Sequence, residues 1–214
     1  MRDSQQTQTD VLAATKLDLR RQMRGRIAAI PQTVRDGSSA TICERLLDSV
    51  YFAAARVVMA YAPLPTEVDV TPVLLAVLRS GRTLLIPRVD WAAGTMEPAV
   101  VSAWPADVVS TKFGVREPAA HLPAVPAEQI DLALVPGLAF DVRGGRLGRG
   151  AGFYDRFFAA SPFNTVKVGL AFEGQIIDRI PMRYGGLVPD VRMDAVLTER
   201  RKVVGCPDSG EQAT

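Results

Sequence analysis

Histidine is almost absent from this chain and cysteine is scarce: one His121 and two cysteines, Cys43 and Cys206, in 214 residues. A disulfide framework needs several closely spaced cysteines, and a structural zinc site needs cysteines or histidines at short intervals. Neither pattern occurs. His121 sits among prolines in HLPAVP and reads as a loop residue. No run of about 18 apolar residues is present to span a bilayer. The first ten residues, MRDSQQTQTD, are polar and unlike a signal peptide. A cytoplasmic protein with no membrane partner is therefore expected. Charge of either sign is not in excess, and a net charge of +2 makes no general case for nucleic-acid binding. Basic residues matter only where they cluster.

What is present suits one globular domain, set at residues 10–204, with disordered tails at 1–9 and 205–214. Apolar residues at Val11, Leu12, Leu19, Met23 and Ile27 predict a helix from Asp10 to near Pro31. Its polar face carries Lys16, Arg20, Arg21, Arg24 and Arg26, which periodicity alone reads as a solvated face. A second helix is expected over Ser39–Ala54, with Ile42, Leu46, Leu47 and Val50 inward.

Arg56–Tyr61 reads as a buried strand, being short, apolar and β-branched. Thr71-Pro72 offers the cap and first residue of a helix that Gly81 stops, and Thr83–Ile86 repeats the strand pattern. This is a βαβ unit, expected to cross over right-handedly. Residues 90–127 suggest a hairpin or extended segments, with KFGVREP and LPAVPA as loops. Further strands are expected at Asp131–Val135, Val166–Phe172 and Ala195–Thr198, and a short helix at Phe153–Ala160. The alternation implies an α/β fold of three layers, a mostly parallel central sheet flanked by helices in the Rossmann-like manner. Ligands of such sheets lie beyond the carboxyl ends of the strands. Loops 62–69, 87–97 and 136–152 fall there.

The third of these loops runs into RGGRLGRGAGFYDR, residues 143–156, which holds five glycines and four arginines. Glycine lets backbone N–H groups approach a ligand closely, and arginine adds a permanent charge with a fork of donors. The combination suits an anion, most simply a chain of phosphates, and Asp155 suits the metal that accompanies phosphates. Two familiar patterns fail. Gly145 and Gly150 have Walker A spacing, but Ala151 stands where lysine is required; a GxGxxG match from Gly148 meets Phe153, and from Gly150 meets Asp155.

RLGRGAGFYDR preceded by VPGLAFD closely resembles the signature of the 5-formyltetrahydrofolate cyclo-ligase family. The resemblance covers roughly residues 12–199 as ordered islands: Lys16-x-x-Leu19-Arg20, YAPLPTEVDV at 61–70, LLIPRV at 84–89, FGVREP at 113–118 and MDAVLTE at 193–199. It implies an enzyme that uses ATP and Mg2+ to convert 5-formyltetrahydrofolate into 5,10-methenyltetrahydrofolate, releasing ADP and phosphate. It places Lys16, Arg20, Arg146 and Arg149 on the triphosphate, with Lys16, Arg146 and Arg149 acting in catalysis. Leu147, Gly148, Gly150, Ala151, Gly152, Phe153 and Tyr154 complete the nucleotide loop. Asp155 and Asp194 are the implied magnesium ligands. Glu67 and Ala62 are implied to meet the pterin, and Arg88 the glutamyl carboxylate.

Some of these residues also have plainer readings. Phe153 and Tyr154 either pack on the folate or frame the loop, and Asp155 alone would suit a helix N-terminus. Relatives carry Lys at the position of Ala151 and Tyr at that of Phe153, and Pro189 stands before Asp190 where a histidine is common. A small-molecule kinase with another acceptor, or a non-catalytic nucleotide-binding protein, is the alternative function. A monomer is expected.

Overall fold

The computed structural model describes residues 2–111, 114–160, 164–183 and 188–205, with side chains from Val11 onward. Three helices come first: α1 (Arg2–Ala28), α2 (Gln32–Leu47) and α3 (Val50–Ala54). Residues 2–9, expected as a disordered tail, instead continue α1, since no Pro or Gly interrupts helix propagation there. The helix expected over Ser39–Ala54 begins earlier, after Pro31, and breaks at Asp48–Ser49. Ser49 caps α3, its Oγ accepting from the Phe52 N–H. The break shifts the phase of the apolar pattern. Val50, expected inward, is therefore 72% exposed, while Ile42 and Leu46 are fully buried.

β1 (Val57–Met59) leads through α4 (Thr71–Arg79) to β2 (Thr83–Asp90), which pairs parallel to it. β2 turns back into antiparallel β3 (Thr95–Val101), so the expected loop 87–97 is mostly paired strand around the turn 91–94. β4 (Val108–Ser110) and β5 (Arg116–Pro118) form their own antiparallel pair, where residues 112–118 were expected as loop. Then follow β6 (Leu132–Val135), β7 (Ala139–Asp141), β8 (Arg146–Leu147), α5 (Phe153–Ala159) and β9 (Val166–Leu170). β10 (Ile176–Ile177), β11 (Ala195–Leu197) and β12 (Lys202–Val204) follow; of the tail expected at 205–214, residues 206–214 lie outside the described residues.

The main sheet has the order β12-β11-β9-β6-β1-β2-β3, parallel from β2 to β11 with one antiparallel strand at each edge. The fold is α/β with a mostly parallel central sheet flanked by helices. Strand alternation builds both faces. Val58, Leu84, Ile86, Leu132 and Leu134 pack in the core that holds α2 and α4. Their neighbours Met59, Leu85, Ala133 and Val135 belong to a second core, packed against Phe153, Phe157 and Phe158 of α5. A strand buried on both sides reads as a continuous apolar run, which is why LLI and LALV were legible.

Two placements prepare a ligand site. From β1 the chain winds outward through α4 to β2, whereas from β6 it winds the other way through α5 to β9. Neighbouring β1 and β6 therefore flank the topological switch point, where the connections leave a crevice. A small sheet, β10-β7-β8, lies beside this crevice. α1 covers it through Met23 and Ile27, which pack with Leu138, Ala139, Leu147, Ile180 and Met182.

Phe140 of β7, fully buried, reaches the main sheet and fits between two glycines. A Cβ at Gly137 would lie 2.7 Å from the ring, and one at Gly169 would lie 2.5 Å from it. Gly169→Ala is expected to overpack this joint and destabilise the fold by about 1–3 kcal/mol. The urea midpoint reads this; an unchanged midpoint would refute the tight joint.

Candidate active site

A cavity opens at the carboxyl ends of β1 and β6, and its wall comes from stretches far apart in the chain. α1 contributes Lys16 and Arg20, and the loop after β1 contributes Ala62 and Glu67. The run Arg146–Asp155 lines it continuously, and Arg183 and Asp190 close the far side. Every expected nucleotide residue is thus on one cavity, together with the two expected pterin residues and Asp155.

The glycine-arginine stretch divides into parts with different work. Residues 143–145 form the turn between β7 and β8, organised by buried Asp141, whose Oδ1 accepts from the Arg143 and Gly145 N–H groups. Its Oδ2 accepts from Ile180 N–H, fastening the turn to the segment after β10. Residues 148–152 then face the cavity. Gly150 (φ 118°) and Gly152 (φ 72°) take left-handed conformations that a side chain would strain. Arg20 Nε donates to the Gly148 carbonyl at 3.0 Å, and Arg24 Nη2 to the Arg149 carbonyl at 3.3 Å. With those carbonyls held by α1, the amides of residues 148–152 have no acceptor among the described residues. They are available to an anion.

Charge is arranged as crossed pairs. Buried Lys16 is ion-paired with Asp190, so it is no part of a solvated face. Arg146 Nη2 meets Asp155 Oδ1 at 3.0 Å, with the arginine side chain 4% exposed. Arg146 Nε is buried without a partner, a spare donor that a buried site leaves open only at a cost. Arg149 Nε donates to Glu67 Oε1 at 3.0 Å and its Nη2 to Thr66 Oγ1 at 3.3 Å. Glu67 Oε2 also accepts from Leu64 N–H, which holds the carboxylate in place. Burial, then neighbouring Arg24, pulls the Arg20 guanidinium below its ordinary value, against Asp190 and Asp155, which oppose the shift.

The aromatic residues frame the wall. Phe153 meets Trp91 edge-on at 5.0 Å and carries the Arg156 guanidinium at 5.2 Å. Arg156 in turn donates to the Gly94 and Ala151 carbonyls, tying the β2–β3 turn to the glycine loop. Tyr154 lies under the Arg146 guanidinium at 5.4 Å. Burial, with Glu67 nearby, pushes its phenol well up, so it stays a neutral hydroxyl. Tyr61 behaves likewise and donates to the Val68 carbonyl.

Two expected site residues lie elsewhere. Arg88 falls on the opposite pleat from cavity-lining Pro87 and Val89. Its donors go to Glu97 and to the carbonyls of Ala119, Ala120 and Leu122, leaving it a brace between the hairpin and the chain after β5. Asp194 immediately precedes β11, at the amino end of the parallel strands, the wrong end for this site. Its Oδ2 accepts from Lys167 N–H at 2.7 Å and is ion-paired with Lys167 Nζ at 3.0 Å. Beside Asp155 and Glu67, the third carboxylate of the cavity is Asp190, four residues earlier. It is held by Lys16 and by Arg183 N–H. Arg116, Arg183 and Trp91 also line the cavity without having been expected. For Asp190 the only signal was an acid in the same irregular segment; for Arg116, its position within FGVREP.

The sequence model of the 5-formyltetrahydrofolate cyclo-ligase family matches residues 13–199. The 5-formyltetrahydrofolate cyclo-ligase of Mycolicibacterium smegmatis is 35% identical, over 89% of this chain and 96% of its own. The mouse protein of the same name is 24% identical, over 87% of this chain and 94% of its own. The solved structure of 5,10-methenyltetrahydrofolate synthetase from Aquifex aeolicus superposes with a TM-score of 0.75 at 30% identity, covering 92% of this chain and 98% of that one. With a glycine-arginine loop, paired acids and Glu67 converging at the switch point, and with a match over nearly the whole fold, the chain belongs to the 5-formyltetrahydrofolate cyclo-ligase family.

Proposed function

We propose that this protein converts 5-formyltetrahydrofolate into 5,10-methenyltetrahydrofolate, using ATP and Mg2+ and releasing ADP and phosphate. The observation that carries the reading is the convergence of an anion loop and the Glu67 carboxylate on one cavity. A formyl oxygen is a poor leaving group. Transfer of the γ-phosphoryl group onto it makes a good one; N10 then attacks the formyl carbon, and the oxygen departs as phosphate.

The protein's task is positioning and charge neutralisation. The 148–152 amides, Arg146 and Lys16 bind the triphosphate, with Arg146 Nε supplying an unused donor. Arg149 sits between the two substrates, on the glycine loop but bonded to Glu67. Glu67 accepts hydrogen bonds from the pterin's amino and ring N–H groups, beside the apolar Ala62.

The donor set fits Mg2+, which takes one or two carboxylates along with phosphate oxygens and water. Asp155 Oδ1 is engaged by Arg146 and Val191 N–H, but its Oδ2 has no partner among the described residues. Asp190 Oδ2 is engaged by Lys16 and Arg183 N–H, but its Oδ1 has none. Each acid thus keeps one oxygen for the ion, whose charge would offset that developing on the transferring phosphoryl group.

A spectrophotometric assay tests the reading. With 5-formyltetrahydrofolate, ATP and Mg2+, methenyl absorbance should appear; none from folded protein would reject it, and consumption of ATP with another acceptor would favour a kinase. Arg149→Ala should lower turnover at least tenfold, about 1.4 kcal/mol at the transition state. A wild-type rate in that variant would remove Arg149 from the site.

A further inference from the structure

We infer that Arg116 forms the subsite for the glutamyl carboxylate of the folate, a role resting on the proposed reaction and one that Arg88 does not fill. Arg116 lines the cavity from β5, is half-buried, and is already oriented. Its guanidinium stacks on Trp104 at 4.8 Å, and one nitrogen, Nη2, donates to the Pro63 carbonyl at 3.4 Å. It has no carboxylate partner among the described residues, whereas Lys16, Arg146 and Arg149 are each paired with an acid across the cavity. A guanidinium fixed by stacking, with donors to spare, is suited to receive a carboxylate.

The order of strands says which carboxylate. The anion loop lies beyond β6, Glu67 beyond β1, and β5 packs against β2, next in the sheet. These three strands are consecutive, with neighbours about 4.8 Å apart. A pterin on Glu67 must turn its formyl group towards the phosphates over β6. The rest of the molecule then runs the other way, over β2. The wall there is apolar, with Leu64, Pro87 and Val115, and suits the aminobenzoyl ring. Arg116 stands at the end of that path.

The test compares 5-formyltetrahydrofolate with its neutral pteroyl amide, which keeps N10 and the ring but lacks the glutamyl group. Arg116→Gln should raise KM for the folate about tenfold or more, the scale of one charge-assisted hydrogen bond. kcat and KM for ATP should stay within about twofold. On the amide, wild type and variant should have the same KM, and Arg116→Lys should recover part of the loss on the folate. An unchanged KM for the folate, or an equal rise on both compounds, overturns the inference. Calorimetric binding of the two compounds makes the same comparison without turnover. A wild type that binds both but catalyses nothing would reject the proposed reaction while the carboxylate subsite is still decided.

Discussion

Arg146→Ala is expected to lower ATP-dependent turnover about 100-fold or more, the usual scale for removing a preorganised donor from developing charge. Three features of the residue argue for so large an effect. It is 6% exposed, so nothing from solvent replaces it. Its Nε is unpartnered, and its Nη1 is anchored on the Pro136 carbonyl at 3.2 Å, which fixes the fork at the carboxyl end of β6. Its Nη2 is the charged partner of Asp155. Truncation strands a carboxylate whose side chain is only 18% exposed, and breaking such a pair costs about 3 kcal/mol of stability. Two measurements separate the effects: a urea midpoint reads the pair, and turnover of folded variant at saturating ATP reads the chemistry. Wild-type turnover would show that Arg146 holds the loop together and does nothing to the phosphates.

Asp190 and Asp194 give the second large effect because they predict opposite outcomes. Asp190→Asn removes a charge that faces the cavity and pairs with Lys16. The half-saturating Mg2+ concentration should rise about 100-fold, since even outer-shell changes at metal sites cost 10–100-fold. Asp194→Asn removes a carboxylate that is 49% exposed and paired with Lys167. An exposed pair is worth about 0–1 kcal/mol, so both Mg2+ dependence and turnover should stay within about twofold. The reverse pattern would restore Asp194 to the site and contradict the placement of β11.

These two acids mark the limit of what sequence could say. They stand four positions apart in a stretch with no helical or strand period before Ala195. Neither spacing nor composition reveals which one turns inward. The turn was decided by contacts 174 positions away in the chain, between Lys16 and Asp190. Arg88 shows the same limit in another form. Its strand was legible, but strands send alternate side chains to opposite faces, and the face that meets the cavity depends on what packs against β2.

Other features needed no tertiary knowledge. The βαβ unit from β1 to β2 followed from two apolar β-branched runs separated by a Thr-Pro start and a Gly stop. The suitability of residues 143–156 for an anion followed from glycine and arginine density, because the freedom of one and the charge of the other belong to the residues themselves. α1 lay between these cases. Its helical period was readable, but its face of cations looked solvated until packing of Met23 and Ile27 on the small sheet brought Lys16 to Asp190 and set Arg20 on the glycine loop.

The fold class and the position of a glycine- and arginine-rich loop suited to an anion were legible in the sequence, because periodicity, backbone freedom and charge are local properties. Tertiary structure alone decided which charges meet: Lys16 with Asp190, Arg146 with Asp155, Arg149 with Glu67. Pairing depends on which faces of distant elements come to one end of the sheet. That is set by packing across the whole chain, and no local pattern encodes it.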